Sequence, residues 1–85
     1  MMMIEKTQTL DELRPGETGV IETLTVTGAN RRRLMDLGML PGTRIEIEMK
    51  SPLGDPVAYR VRGSVIAIRN DQARQITIKR EEQVS

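Results

Sequence analysis

The sequence predicts a mainly β domain: a small, partly closed antiparallel barrel of about five short strands, with one or two short helices inserted. Three observations predict it. Residues 43–50 and 57–62 alternate apolar and polar side chains at the strand period of two, with turn-forming residues between them. The strand-like segments follow one another too closely for the crossover helices of a parallel sheet. The chain has 85 residues, one domain's length. A domain of this size buries only about 60% of its unfolded surface, so an open sheet would leave edges it cannot cover, and closure removes them.

The elements follow in order. Residues 1–8 are expected to be a flexible lead, 9–80 a single domain and 81–85 a polar tail. Thr9 and Glu12 form a capping box around Leu10 and Asp11, which starts one helical turn that Pro15 and Gly16 end. Residues 18–26 are β-rich, with Val20, Leu24 and Val26 on one side; Glu22 breaks the alternation and marks a bulge or an edge. Residues 27–30 offer polar caps for a helix over 31–37, in which Leu34 and Leu37 recur at i, i+3 and Gly38 is the stop.

Leu40, Pro41 and Gly42 then turn the chain into the first alternating run. There Thr43, Ile45, Ile47 and Met49 face one way, and Arg44, Glu46, Glu48 and Lys50 the other. The second run sets Val57, Tyr59 and Val61 against Ala58, Arg60 and Arg62. Joined through Pro52, Gly54 and Pro56, the two form a hairpin. Its expected register places Glu48 opposite Arg60, Glu46 opposite Arg62, Ile47 opposite Val61 and Met49 opposite Tyr59. Gly63 ends it. Residues 65–68 form a short apolar strand, 70–75 a polar turn or 3₁₀ segment and 76–79 the last strand. The expected core is Val20, Leu24, Val26, Leu34, Leu37, Ile45, Ile47, Val61, Val65, Ile66, Ile68, Ile76 and Ile78. This pattern fits an SH3-like barrel best; an OB-like barrel, whose aromatic binding face is missing here, is the runner-up.

Composition excludes several functions. There is no histidine or cysteine, which removes the usual nucleophile–base pairs and every thiolate or imidazole metal ligand. The seven glycines stand singly at turns and make no phosphate-binding loop. Glu46 and Glu48 share a strand face, but Arg60 and Arg62 on the partner strand make that a solvated ion-pair face rather than an acid–base site. Net charge is +1 and Tyr59 is the one aromatic residue, so the chain lacks the stacking platform of a nucleic-acid binder. No run approaches the roughly 18 apolar residues of a membrane span. The expectation is a soluble cytoplasmic protein that is not an enzyme and carries no cofactor.

What remains is the segment from Arg31 to Gly42. Arginines at the start of a helix oppose its dipole by about 0.3–1 kcal/mol each, which Asp36 offsets in part by lying one turn beyond Arg32 and Arg33. Arg31, Arg32 and Arg33 are therefore candidate partner-binding residues. Met35 and Met39 flank the buried stripe and join them, as does Leu53 at the tip of the proline-rich turn.

Three segments together resemble the FeoA family: RRRLMDLGMLPGTRIEI, SPLGDPVAYRVRG and SVIAIRNDQARQITI. The specific positions are Arg33-Leu34 with Asp36-Leu37-Gly38, Pro41-Gly42, Pro52 to Pro56, Gly63 and Ala67-Ile68-Arg69. The resemblance implies an SH3-like barrel of the kind also found at the C-terminus of DtxR-type iron-dependent repressors. It implies a cytoplasmic accessory protein of bacterial ferrous iron transport that contacts FeoB, a membrane GTP-driven Fe²⁺ transporter. A free-standing regulatory or metal-sensing module acting on another cytoplasmic protein is the alternative. The expected partner is thus a FeoB-like transporter, with no nucleic acid, no membrane span of the chain's own and room for weak self-association. No metal ligands are assigned, and the lack of His and Cys argues against a strong site.

Overall fold

The computed structural model describes residues 7–81. Six strands form one antiparallel sheet in the order β1-β6-β2-β3-β4-β5. They are β1 (Thr7–Thr9), β2 (Thr18–Leu24), β3 (Arg44–Lys50), β4 (Val57–Val61), β5 (Ser64–Ile68) and β6 (Ile76–Glu81). A 3₁₀ turn (Leu10–Glu12) follows β1. Helix α1 (Gly28–Asp36) joins β2 to β3, and α2 (Asn70–Ala73) joins β5 to β6.

The sixth strand is the addition. Thr7, Gln8 and Thr9 pair with Lys79, Ile78 and Thr77 of β6. Residues 7 and 8, expected in a flexible lead, therefore belong to the sheet. Glu81, expected in the tail, lies opposite Thr18. Neither end alternates apolar with polar residues, so tertiary pairing rather than local pattern makes them strands. The remainder of both expected terminal segments lies outside the described residues. The capping box forms as read, with the Thr9 amide donating to Glu12 Oε1 at 3.0 Å.

Buried side chains from β2 to β6, the 3₁₀ turn and both helices share one core. Leu24, Val26, Leu34, Ile45, Val61, Ile66, Ile68, Ile76 and Ile78 are buried as expected, together with Leu10, Leu13, Ile21, Met39, Val57, Tyr59 and Ala73. The departures have local causes. A bulge between Ile21 and Thr23 falls at Glu22, so the inward set switches phase there. Ile21 is buried ahead of it and Leu24 after it, while Val20 is half-buried.

The β4–β5 connection is a two-residue loop, Arg62 and Gly63, closing between Val61 and Ser64. Both loop residues have positive φ, +52° and +82°, as the tight hairpin turn demands. This phase sends Ile66 and Ile68 inward and leaves Val65 exposed, correcting its expected place in the core. It also removes Arg62 from the strand. The β3–β4 register sits two residues from the expected one. Ile45 lies opposite Val61, Glu46 opposite Arg60 and Ile47 opposite Tyr59. The faces are those predicted as far as Ile47. A second irregularity at Glu48 then turns Met49 outward opposite Ala58, where it is 67% exposed. Arg60 reaches both acids on that face, with its Nε 4.0 Å from Glu46 and its terminal nitrogen donating to Glu48. That hydrogen bond raises the Arg60 pKa above its ordinary value.

Candidate functional site

Helix α1 starts three residues before the arginines. Thr27, with extended backbone, precedes it, and Gly28, Ala29 and Asn30 fill its first positions. Arg31 to Arg33 thus occupy the fourth to sixth positions, and Arg33 lies in the last turn, where a cation complements the dipole. The expectation that the three arginines oppose the helix dipole is therefore corrected. The reason is that Gly28 and Ala29, which carry no start signal, are taken into the helix.

The three arginines have different surroundings. Arg31 donates from a terminal nitrogen to the Leu24 carbonyl at 2.6 Å. This contact ties α1 to the end of β2. Arg32 and Arg33 are exposed and make no ion pair among the described residues. Asp36, read from the sequence as their neighbour, makes none there either. Arg31, Arg32, Met35 and Asp36 line one shallow open groove with Gly28 and Ala29. Met35 is half-buried, one side against the core and the other on this groove.

The helix ends in a Schellman motif. The Gly38 amide bonds the Met35 carbonyl at 3.0 Å and the Met39 amide bonds the Leu34 carbonyl at 3.0 Å, with Gly38 at φ +101°. This motif brings the residue after the glycine onto the residue five before it. Leu34 and Met39 are both buried, at 1% and 0% exposure. Met39 is therefore a core residue and is withdrawn from the candidate binding set. Leu37, expected in the core, is instead 40% exposed at the helix end. The sequence carried the signal for both, since the glycine stop at 38 fixes which flanking residue folds inward.

Leu53 is 94% exposed, as expected of a loop tip. Its loop is held elsewhere: the Asn70 amide bonds Asp55 Oδ1 at 3.0 Å and the Asn70 side chain bonds the Gly54 carbonyl at 3.0 Å. The loop is thus anchored at the start of α2. The structure brings Arg31, Arg32 and Met35 together, sets Arg33 and Leu37 at the helix end, and ties Leu53 to a different element. Sequence reasoning missed Leu37, Met49 and Val65 as exposed apolar residues.

Among the described residues no group of three or more Asp, Glu, His or Cys is placed to hold a metal ion. The α1 groove offers two exposed guanidinium groups beside a thioether, suited to an acidic surface with an apolar spot. Among the described residues no helix is long and apolar enough to cross a membrane.

Comparison with known proteins places this chain in a family. The FeoA domain model matches residues 8–80. A fusion of Fe²⁺ transport protein A with the Fe²⁺ transporter FeoB from Porphyromonas gingivalis is 31% identical over 70 residues. That match takes in 82% of this chain and 8% of the fusion protein's length. The solution structure of FeoA from Chlorobium tepidum superposes with a TM-score of 0.81 at 33% identity, over 85% of this chain and 69% of that one. A zinc complex of Stenotrophomonas maltophilia FeoA, an SH3 domain protein, gives 0.74 at 27% identity, over 91% and 99%. A family match that spans nearly every described residue, and solved FeoA proteins of the same fold, lead to one conclusion: this chain, with its six-stranded SH3-like sheet, belongs to the FeoA family.

Proposed function

We propose that the protein is a non-enzymatic accessory of ferrous iron transport, which docks on the cytoplasmic side of a FeoB-like membrane transporter. The observation that carries this reading is the P. gingivalis relative, in which the two proteins are one chain. Fusion holds two partners at high effective concentration without any contact energy. A separate chain must obtain the same proximity from an interface. The S. maltophilia relative has likewise been put forward as a ferrous iron transport activating factor.

The α1 face is the proposed interface: Arg32 and Met35 at its centre, with Arg33 and Leu37 toward the helix end. Arg31 supports it by fixing the helix on β2. Arginine contacts of this kind speed association with an acidic partner and weaken as salt rises.

The test is Fe²⁺ uptake in a strain lacking its own copy. An Arg32→Glu, Met35→Asp double variant should keep its circular dichroism spectrum and melting midpoint, yet restore less than a tenth of wild-type uptake. Arg31 is left intact because its bond to Leu24 would confound the result. Full uptake restored by the stably folded double variant would contradict the reading.

A further inference from the structure

The edge of the sheet at β5 has a use that the α1 face does not explain. We infer that β5 accepts an extended segment of a partner protein as an added strand, one with apolar residues at its centre and acidic residues at its ends. This surface is separate from the α1 face, and the inference does not depend on the partner's identity.

Backbone geometry supplies the first part. The two-residue Arg62-Gly63 loop makes Val61 and Ser64 a hydrogen-bonded closing pair. Pairs alternate in an antiparallel ladder, so Ser64, Ile66 and Ile68 bond to β4, and Val65 and Ala67 turn their N–H and C=O groups away from it. No residue of β5 makes a backbone or side-chain hydrogen bond to any other element among the described residues. Five residues of edge therefore present two free donor–acceptor pairs. Natural edges are usually blunted by proline, lysine, a bulge or a covering element. Residues 64–68 contain neither proline nor lysine, and their pairing with β4 runs without a shift.

The side chains supply the second part. Outward from the sheet, Met49 lies opposite Ala58 and Ala58 opposite Ala67, an apolar row running to the free edge. Val65, 54% exposed, stands beside it. An added strand would continue this row through the residues opposite Ala67 and Val65, where apolar side chains gain most.

Charge selects the occupant. Arg62 and Arg69 bracket the strand, both exposed and neither in an ion pair among the described residues. A second copy pairing antiparallel about Ile66 would bring Arg62 beside Asn70 and next to the other copy's Arg69, at both ends of the contact. Like charges so placed disfavour self-pairing, whereas acids at the ends of an incoming strand meet both arginines. Arg62 also holds a left-handed φ of +52°, a conformation suited to asparagine or glycine.

The test is an NMR titration of the intact ¹⁵N-labelled protein with a synthetic eight-residue peptide, two glutamates on each side of Val-Thr-Val-Thr. A glutamine-ended peptide is the comparison. The expected result is that shifts centre on Val65 and Ala67, whose amide exchange slows, and that the glutamate-ended peptide binds at least tenfold tighter at low salt. Val65→Pro removes one outward N–H without touching a bond to β4, so it should abolish binding and leave the fold's spectrum intact. Arg62→Asn should weaken the preference for glutamate ends, and Arg62→Asn with Arg69→Gln should abolish it. Equal binding of the two peptides, shifts confined to α1, or no shift at millimolar peptide would overturn the inference. Val65 and Ala67 shifts that depend on protein concentration without peptide would assign the edge to a second copy and overturn it equally.

Discussion

Single side chains in this protein are read best through what they touch. Tyr59 is the chain's one tyrosine and is 1% exposed. Burial raises its pKa from the ordinary 10.0 to about 12, and the negative charges of Asp11 and Asp55 push the same way. The raised value has a definite consequence for stability. The neutral phenol's contribution is complete below the unfolded pKa near 10 and is lost as pH climbs through about 12. A phenolate absorbance titration reads this group alone, and its midpoint should fall near 12, coincident with loss of the folded circular dichroism signal. A midpoint near 10 in the folded protein would show that the ring is not desolvated. Glu17 shows the opposite case at the surface. The Arg14 amide donates to its carboxylate at 2.9 Å and Arg80 pairs with it at 3.0 Å, and together they hold its pKa below the usual carboxylate range.

Among the elements, turns decide more than strands do. The Arg62-Gly63 loop sets the phase of β5 and ends β4 at Val61, and the β3–β4 pairing carries its own irregularity between Ile47 and Met49. Arginine at φ +52° costs this turn stability. Arg62→Asn should therefore raise unfolding stability by about 0.5–1 kcal/mol in urea with an unchanged m-value. A loss of stability would mean that the Arg62 side chain, packed near Gly38, contributes more than the turn strain removes. The same dependence on turns explains what the sequence made legible. The two alternating runs gave the faces of β3 and β4 correctly through Ile47, because one buried face specifies them. The bulge at Glu22 was visible as a break in alternation. The irregularity at Glu48 was not, since a bulge that turns Met49 outward leaves the apolar spacing of residues 43–49 intact. For α1, the glycine stop was legible and the start was not. Gly28 and Ala29, both exposed, carry no side-chain signal that would mark the start.

At the scale of the molecule, one apolar core of aliphatic side chains and a single tyrosine holds every strand from β2 to β6. No ion is needed to hold these side chains together, so the melting midpoint should be the same with and without EDTA. A fall of many degrees on adding chelator would assign metal a structural role. The fold class was legible because it rests on many residues at once: strand spacing, turn chemistry and a family resemblance across most of the chain. The candidate surface was less so, because it turns on individual orientations. Met39 reads as a flanking methionine until the Schellman motif folds it onto Leu34, and Arg31 reads as a free cation until its bond to the Leu24 carbonyl is seen. What survives is a smaller face centred on Arg32 and Met35.

The proposed function stands on that face, and direct binding tests it. The purified protein and a detergent-solubilised FeoB-like transporter from the same organism should associate with an affinity that falls as salt rises. The Arg32→Glu, Met35→Asp double variant should bind at least tenfold more weakly, which is a loss of about 1.4 kcal/mol or more, while Val65→Pro binds as the wild type does. Wild-type affinity in the folded double variant would contradict the account, and loss of binding in Val65→Pro alone would move the interface to the β5 edge.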